Sequence, residues 1–164
     1  MPIRPILSFP DSRLRMAAAV VTRFDAELGV LAADLLETMR AAPGIGITAP
    51  HLGVLARVVV LELTPGEVRT YVNPELDWVS PETIRHTEGS VSMPGVTDEV
   101  ERHARIRVRY QNLGGNEQTE EASGLLAVCH QHEIDQLDGI FWIDRLSRLK
   151  RDRLIARFNK LRRG

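Results

Sequence analysis

Helical periodicity is confined to three stretches of this 164-residue chain, and two of them lie together at its C-terminal end. That ordering limits the fold more than any other feature. In the first stretch Leu28, Leu31, Ala32, Leu35, Leu36 and Met39 recur at helical spacing as far as Arg40, with Thr22 and Asp25 as capping residues. Pro43, Gly44 and Gly46 end it. The β-branched run from Ala56 to Leu63 then predicts a strand, Pro65-Gly66 a turn, and Glu67 to Val72 the hairpin partner. Short extended pieces are expected around Trp78 and Ile84. Ile106, Val108 and Tyr110 alternate with Arg105, Arg107 and Arg109, as in a strand with one wet face. Ser123 opens a second helix to Leu137, with Gly139 as its cap, and a last helix is expected over Leu146 to Leu161. Its apolar stripe reads Leu154, Ile155, Phe158 and Leu161. A helix, several antiparallel strands and then two helices make an α+β domain, not an alternating βαβ one. The expectation is a single domain over 1–164, with antiparallel strands around a central helix and helices at both ends.

Charge removes some functions and suggests another. The 21 basic and 22 acidic residues nearly cancel, so no whole-chain field draws the protein to DNA or to a membrane. No apolar run approaches a membrane span, and Met1 to Phe9 lacks an apolar signal core, so a cytoplasmic protein is expected. The lone cysteine, Cys129, cannot form an internal disulfide. The C-terminal end is different. Arg145, Arg148, Lys150, Arg151, Arg153, Arg157, Lys160, Arg162 and Arg163 stand against one acid, Asp152. Such a run reads either as a solvated helix face or as a docking element for an anionic partner such as RNA.

The second helix carries His132-Glu133-Ile134-Asp135-Gln136. In the zinc motif H-E-x-x-H, two histidines one turn apart bind a metal and the glutamate acts on the metal-bound water. Here Gln136 occupies the second histidine's place, giving H-E-x-x-Q. A His-Glu pair alone is common and would point to nothing.

Three ordered segments add to it: Gly44-Ile45-Gly46-Ile47-Thr48-Ala49-Pro50-His51, Glu88-Gly89-Ser90-Val91-Ser92, and Gln131-His132-Glu133-Ile134-Asp135-Gln136-Leu137-Asp138-Gly139. Together they resemble the three motifs of the peptide deformylase family. The likeness continues through Phe141-Trp142-Ile143-Asp144-Arg145-Leu146-Ser147 and Pro5-Ile6-Leu7. It implies a small α+β domain and a divalent iron or zinc held by one cysteine and two histidines. The implied reaction removes the formyl group from the N-terminal methionine of nascent polypeptides. Carried over by position, His132 is a metal ligand, and Ser90 and Gln136 replace the cysteine and the second histidine. Glu133 takes the place of the general acid/base. The Val91 amide and Gly46 match main-chain contacts to substrate. His51 replaces a glutamine that faces the formyl group. Glu88 and Arg102 match an ion pair bracing the ligand loop, with an ordinary surface salt bridge as the plainer reading.

The replacements weigh on the metal. A complete structural zinc site is worth roughly 10–16 kcal/mol, so two lost ligands remove on the order of 6 kcal/mol, or about four decades of affinity. A serine hydroxyl and a glutamine carbonyl suit neither zinc nor ferrous iron as thiolate and imidazole do. The metal is expected to be absent or weakly bound, and the activity impaired. His51, His132 and Glu133 as a rearranged metal site stay open, as does Ser90 paired with a histidine as nucleophile. Cys129 reads as a buried inert thiol. His130 and His132, two apart, point to different sides of the helix and do not chelate one ion easily. Three classes follow: a slow deformylase-type hydrolase, a non-catalytic binder of formylated N-termini, or a ribosome-associated module docking through the basic helix.

Overall fold

Asp25, not Thr22, caps the first helix. In the computed structural model, which describes residues 3–163, its carboxylate accepts the Leu28 N–H at 3.2 Å and α1 runs Ala26–Ala41. The strands are β1 (Gly46–Thr48), β2 (Val58–Leu61), β3 (Arg69–Val79), β4 (Thr83–Ser90), β5 (Met93–His103), β6 (Arg105–Gln111) and β7 (Glu117–Ser123). Five form an antiparallel sheet in the order β1-β2-β3-β6-β7, and β4 pairs with β5 as a separate hairpin. Two helices follow, α2 (Gly124–Leu137) and α3 (Arg148–Arg163). The α+β architecture expected from the order of periodic stretches is the one observed.

Several boundaries differ from expectation. The hairpin partner and the extended piece at Trp78 are one strand, β3, kept in register with β6 by a bulge at Asn73 (φ 51°). The Asn73 amide accepts the Val21 N–H at 2.8 Å and donates to the Val21 carbonyl at 2.9 Å, tying the N-terminal segment to the sheet. The piece at Ile84 is the long strand β4. β5 and β7 are strands that periodicity does not reveal. In α3 the stripe is narrower than expected: Leu154 and Phe158 are buried, but Leu161 is 54% exposed.

The core lies in packed clusters, two of which join α2 to the sheet. α1 sets Leu28, Leu35 and Met39 against Ile47, Val58 and Val60. Phe9, Phe141, Trp142 and Phe158 pack with Met93, Val96 and Val100, which seats α3 on β5. Each such fully buried side chain contributes about 1.5–3 kcal/mol. α2 runs through the middle, with Ala127 to Gln131 and Glu133 to Leu137 all buried. Its exit turns at Gly139 (φ 77°), where a Cβ would stand 2.6 Å from the Arg15 carbonyl oxygen, so only glycine fits. Among the described residues, no helix is long and apolar enough to cross a membrane.

Candidate active site

A cavity of about 440 Å³ opens where β1, the β4–β5 hairpin and α2 meet, and Gly46, His51, Ser90, Val91, His132 and Glu133 all line it. Six of the seven positions singled out by the motifs are thus brought together. Gln136 is the exception. Its side-chain amide donates to the Leu14 carbonyl at 2.7 Å, joining α2 to the 3-10 turn Ser12–Arg15.

His132 is held by a chain of alternating charges. Its Nδ1 lies 2.8 Å from Glu88 Oε1. Glu88 takes both prongs of Arg102, at 2.7 and 2.8 Å, and Arg102 also donates to Asp135 at 2.7 Å. Asp135 in turn accepts two bonds from Arg145, at 2.9 and 2.8 Å. Glu88 and Arg102 are 6% and 4% exposed, so their pair is buried and bidentate, which rules out the surface salt bridge. Burial alone would raise the Glu88 pKa, but the Arg102 and His132 hydrogen bonds outweigh it and bring it to about 2. The carboxylate fixes the ring: Nδ1–H faces Glu88 and Nε2 faces Glu133 Oε1, 3.7 Å away. Sequence reasoning missed the extension through Asp135 and Arg145. Both lie inside quoted motifs, but an acid and a base ten residues apart give no sign that they meet.

Glu133 is 3% exposed and its Oε1 has no hydrogen-bond partner among the described residues. Burial pushes its carboxyl up to about 7, with the His132 charge pulling the other way and Glu88 adding to the rise. Gly46 makes room for it, since a Cβ there would come within 2.8 Å of Glu133 Oε2. His132 is raised from its usual value: burial opposes this, but the two neighbouring glutamates prevail.

His51 is 1% exposed. The Thr48 backbone N–H donates to its Nδ1 at 2.9 Å, and the Thr48 hydroxyl lies 3.0 Å from the same atom. Burial first, and then the His132 charge, hold its pKa at about 3. Ser90 Oγ accepts the Ser92 N–H at 3.1 Å, and neither His51 nor His132 bonds to it among the described residues, so no Ser–His pair is assembled. The Cys129 thiol, pushed up to about 12 by burial and by the charges of Glu133 and Glu88, is inert at neutral pH. His130 faces away, 2.6 Å from Glu120 Oε2 and edge-on to the Tyr71 ring.

Residues 3–152 match the family profile described as Polypeptide deformylase. The chain belongs to the peptide deformylase family. A Brucella melitensis protein named peptide deformylase-like is 69% identical over 164 residues, covering 99% of this chain and 100% of its own. A Bradyrhizobium diazoefficiens protein of the same name is 67% identical over 165 residues, covering 100% of this chain and 97% of its own. The crystal structure of a peptide deformylase from Legionella pneumophila superposes with a TM-score of 0.94 at 37% identity, covering 99% of this chain and 96% of that one. In this deformylase fold the helix bearing H-E-x-x-Q is central, as the family likeness implies.

Proposed function

We propose that this chain keeps the pocket of a peptide deformylase for formylated N-termini, and that removal of the formyl group is impaired because the metal site is incomplete. One observation carries the reading. Of the three positions where the family likeness puts ligands, only His132 offers the cavity a good donor. Gln136, whose side-chain NH2 donates to the Leu14 carbonyl, has only a neutral carbonyl oxygen left to offer, and Ser90 only a neutral hydroxyl. That donor set does not fit ferrous iron or zinc. Glu133 retains a raised pKa suited to moving protons near neutrality. Without a bound cation to acidify water, a base alone supplies little nucleophile. The pocket that would take a peptide is lined by Gly46, Val91 and residues of α2.

Such a role belongs beside nascent chains in the cytoplasm. The outer face of α3 supports docking on the ribosome, because Arg153, Arg157 and Lys160 are all exposed while Leu154 and Phe158 anchor the helix.

The test is elemental analysis of protein purified anaerobically without added metal, together with hydrolysis of a formyl-methionyl peptide. Substoichiometric metal and near-background turnover are expected, with both rising in the double variant Ser90→Cys/Gln136→His and little in either single variant. Stoichiometric metal with robust turnover that vanishes in Glu133→Ala would overturn the reading.

A further inference from the structure

α3 continues past its last buried anchor. Leu154 and Phe158 seat the helix, but its final turn runs on to Arg163, with Leu161 and Arg162 both exposed. Two contacts hold that turn, and both reach the tip of the β4–β5 hairpin. A Cβ on Gly95 would stand 3.2 Å from Leu161 Cδ1, so the leucine lies directly over this glycine (φ 88°). Arg162 Nη1 donates to the Phe9 carbonyl at 3.0 Å, and the Phe9 N–H donates to the Ser92 carbonyl at 2.8 Å. Val91, Met93, Pro94 and Gly95 line the cavity. The hairpin tip is therefore at once a wall of the cavity and the seat of the end of α3.

Charge works against that turn. Arg153, Arg157, Lys160 and Arg163 follow one another at i,i+4 and i,i+3 spacing. Among the described residues none of them has an acidic partner, and the single acid of the helix, Asp152, pairs with Arg148. Like charges one turn apart destabilise a helix, and its last four carbonyls have no intrahelical donor. The helix dipole favours cations at this end but leaves their mutual repulsion in place, and an anionic surface removes it.

We infer that Leu161 and Arg162 are positioning residues for the cavity, through which RNA phosphates bound along α3 tighten the hold of the site on a peptide. This rests on the pocket being one for formylated N-termini and on α3 docking to ribosomal RNA, and it joins the two. In the free protein the last turn frays, uncovering Gly95 and releasing the brace that runs through Phe9 to Ser92. Phosphates on the outer face cancel the repulsion and hold the turn helical. Leu161 then stays on Gly95 and Arg162 on Phe9, and Val91 and Met93 keep their places in the cavity wall. Neither positioning residue lines the cavity itself. The coupling is reciprocal, so the peptide strengthens RNA binding by the same factor.

Titration of formyl-Met-Ala at low salt, with and without a saturating short RNA duplex, reads the coupling. RNA should tighten the peptide about fivefold, the lower end of allosteric couplings, and the peptide should tighten the RNA equally. Leu161→Ala/Arg162→Met should still bind RNA through Arg153, Arg157 and Lys160, but without that enhancement. Leu161→Met/Arg162→Lys should restore most of it. The urea midpoint of the first double variant should stay near that of the wild type, as a residue serving stability alone would not allow. RNA that binds without changing peptide affinity or the Gly95 amide resonance overturns the inference alone, as does an enhancement undiminished in Leu161→Ala/Arg162→Met. RNA that does not bind overturns it together with docking. If formyl-Met-Ala fails to bind, the formyl-peptide pocket falls and the Gly95 amide resonance decides the rest: a shift on adding RNA upholds the link from α3 to the hairpin tip, and no shift overturns it. Should the variants fail to fold, that wild-type resonance decides in the same way.

Discussion

Arg102 is the residue on which the buried charges turn. It neutralises Glu88 and Asp135 together, with 4% of its own surface exposed. Removing it strands the buried Glu88 carboxylate while Asp135 keeps Arg145, so Arg102→Met should destabilise the fold by about 3–5 kcal/mol. Adding Glu88→Met should return part of that loss, because the stranded charge disappears. Urea denaturation of the three proteins checks this; equal stabilities would mean the network contributes nothing. Gly46 acts through space alone. An added methyl meets Glu133 Oε2 at 2.8 Å and Leu61 Cδ2 at 2.9 Å, so Gly46→Ala should cost about 1–3 kcal/mol and shift the carboxyl of Glu133. At this scale the sequence was informative about which residues meet and poor about what each one does. The motifs brought six residues to one cavity, yet nothing in them foretold that Gln136 would turn to Leu14 or that Thr48 would fix the His51 ring.

Helices were legible because a buried face repeats every three or four residues. β5 and β7 were not, for a physical reason. β7 buries only Ala122 of its seven residues and sits at the sheet edge, so no alternating pattern is imposed on it. β5 begins with Met93-Pro94-Gly95, residues that read as a turn. One residue of β7 nevertheless matters. Glu120 accepts the Tyr71 hydroxyl, pairs with Arg69 and lies beside His130, linking sheet to α2. Burial would raise its pKa, but the His130 and Tyr71 hydrogen bonds win and lower it from 4.5. A carboxylate with a lowered folded pKa stabilises the native state above its ordinary value and loses that contribution as pH falls through the folded one. Glu120→Gln should therefore flatten the loss of stability below pH 4.5 and leave the slope near neutrality unchanged, as denaturation across pH would register. α3 carries the other test at this scale. Its exposed cations should give ribosome association that weakens steeply with salt, and reversing Arg153, Arg157 and Lys160 should abolish it without unfolding. Since Leu161 is half exposed, Leu154 and Phe158 are the anchors to leave in place. Association that is absent at low salt, or indifferent to the reversals, would make α3 an ordinary solvated helix.

Across the whole molecule the N-terminal segment behaves as a strap. Leu7 N–H bonds to the His51 carbonyl, Phe9 N–H to the Ser92 carbonyl and Ala18 N–H to the Leu137 carbonyl, at 2.8, 2.8 and 2.7 Å, so one segment fastens to the turn after β1, the β4–β5 hairpin and the end of α2. Leu14, 1% exposed, is its deepest apolar residue, and Leu14→Ala should cost about 2–5 kcal/mol and loosen the site as well as the fold. The bond from Gln136 to the Leu14 carbonyl belongs to that strap and fastens it to α2. Replacing Gln136 by a side chain that cannot donate to Leu14 would leave that carbonyl without its partner. Position 136 therefore answers to folding as much as to the cavity: whatever stands there must either keep hold of Leu14 or leave the N-terminal segment unfastened at its middle.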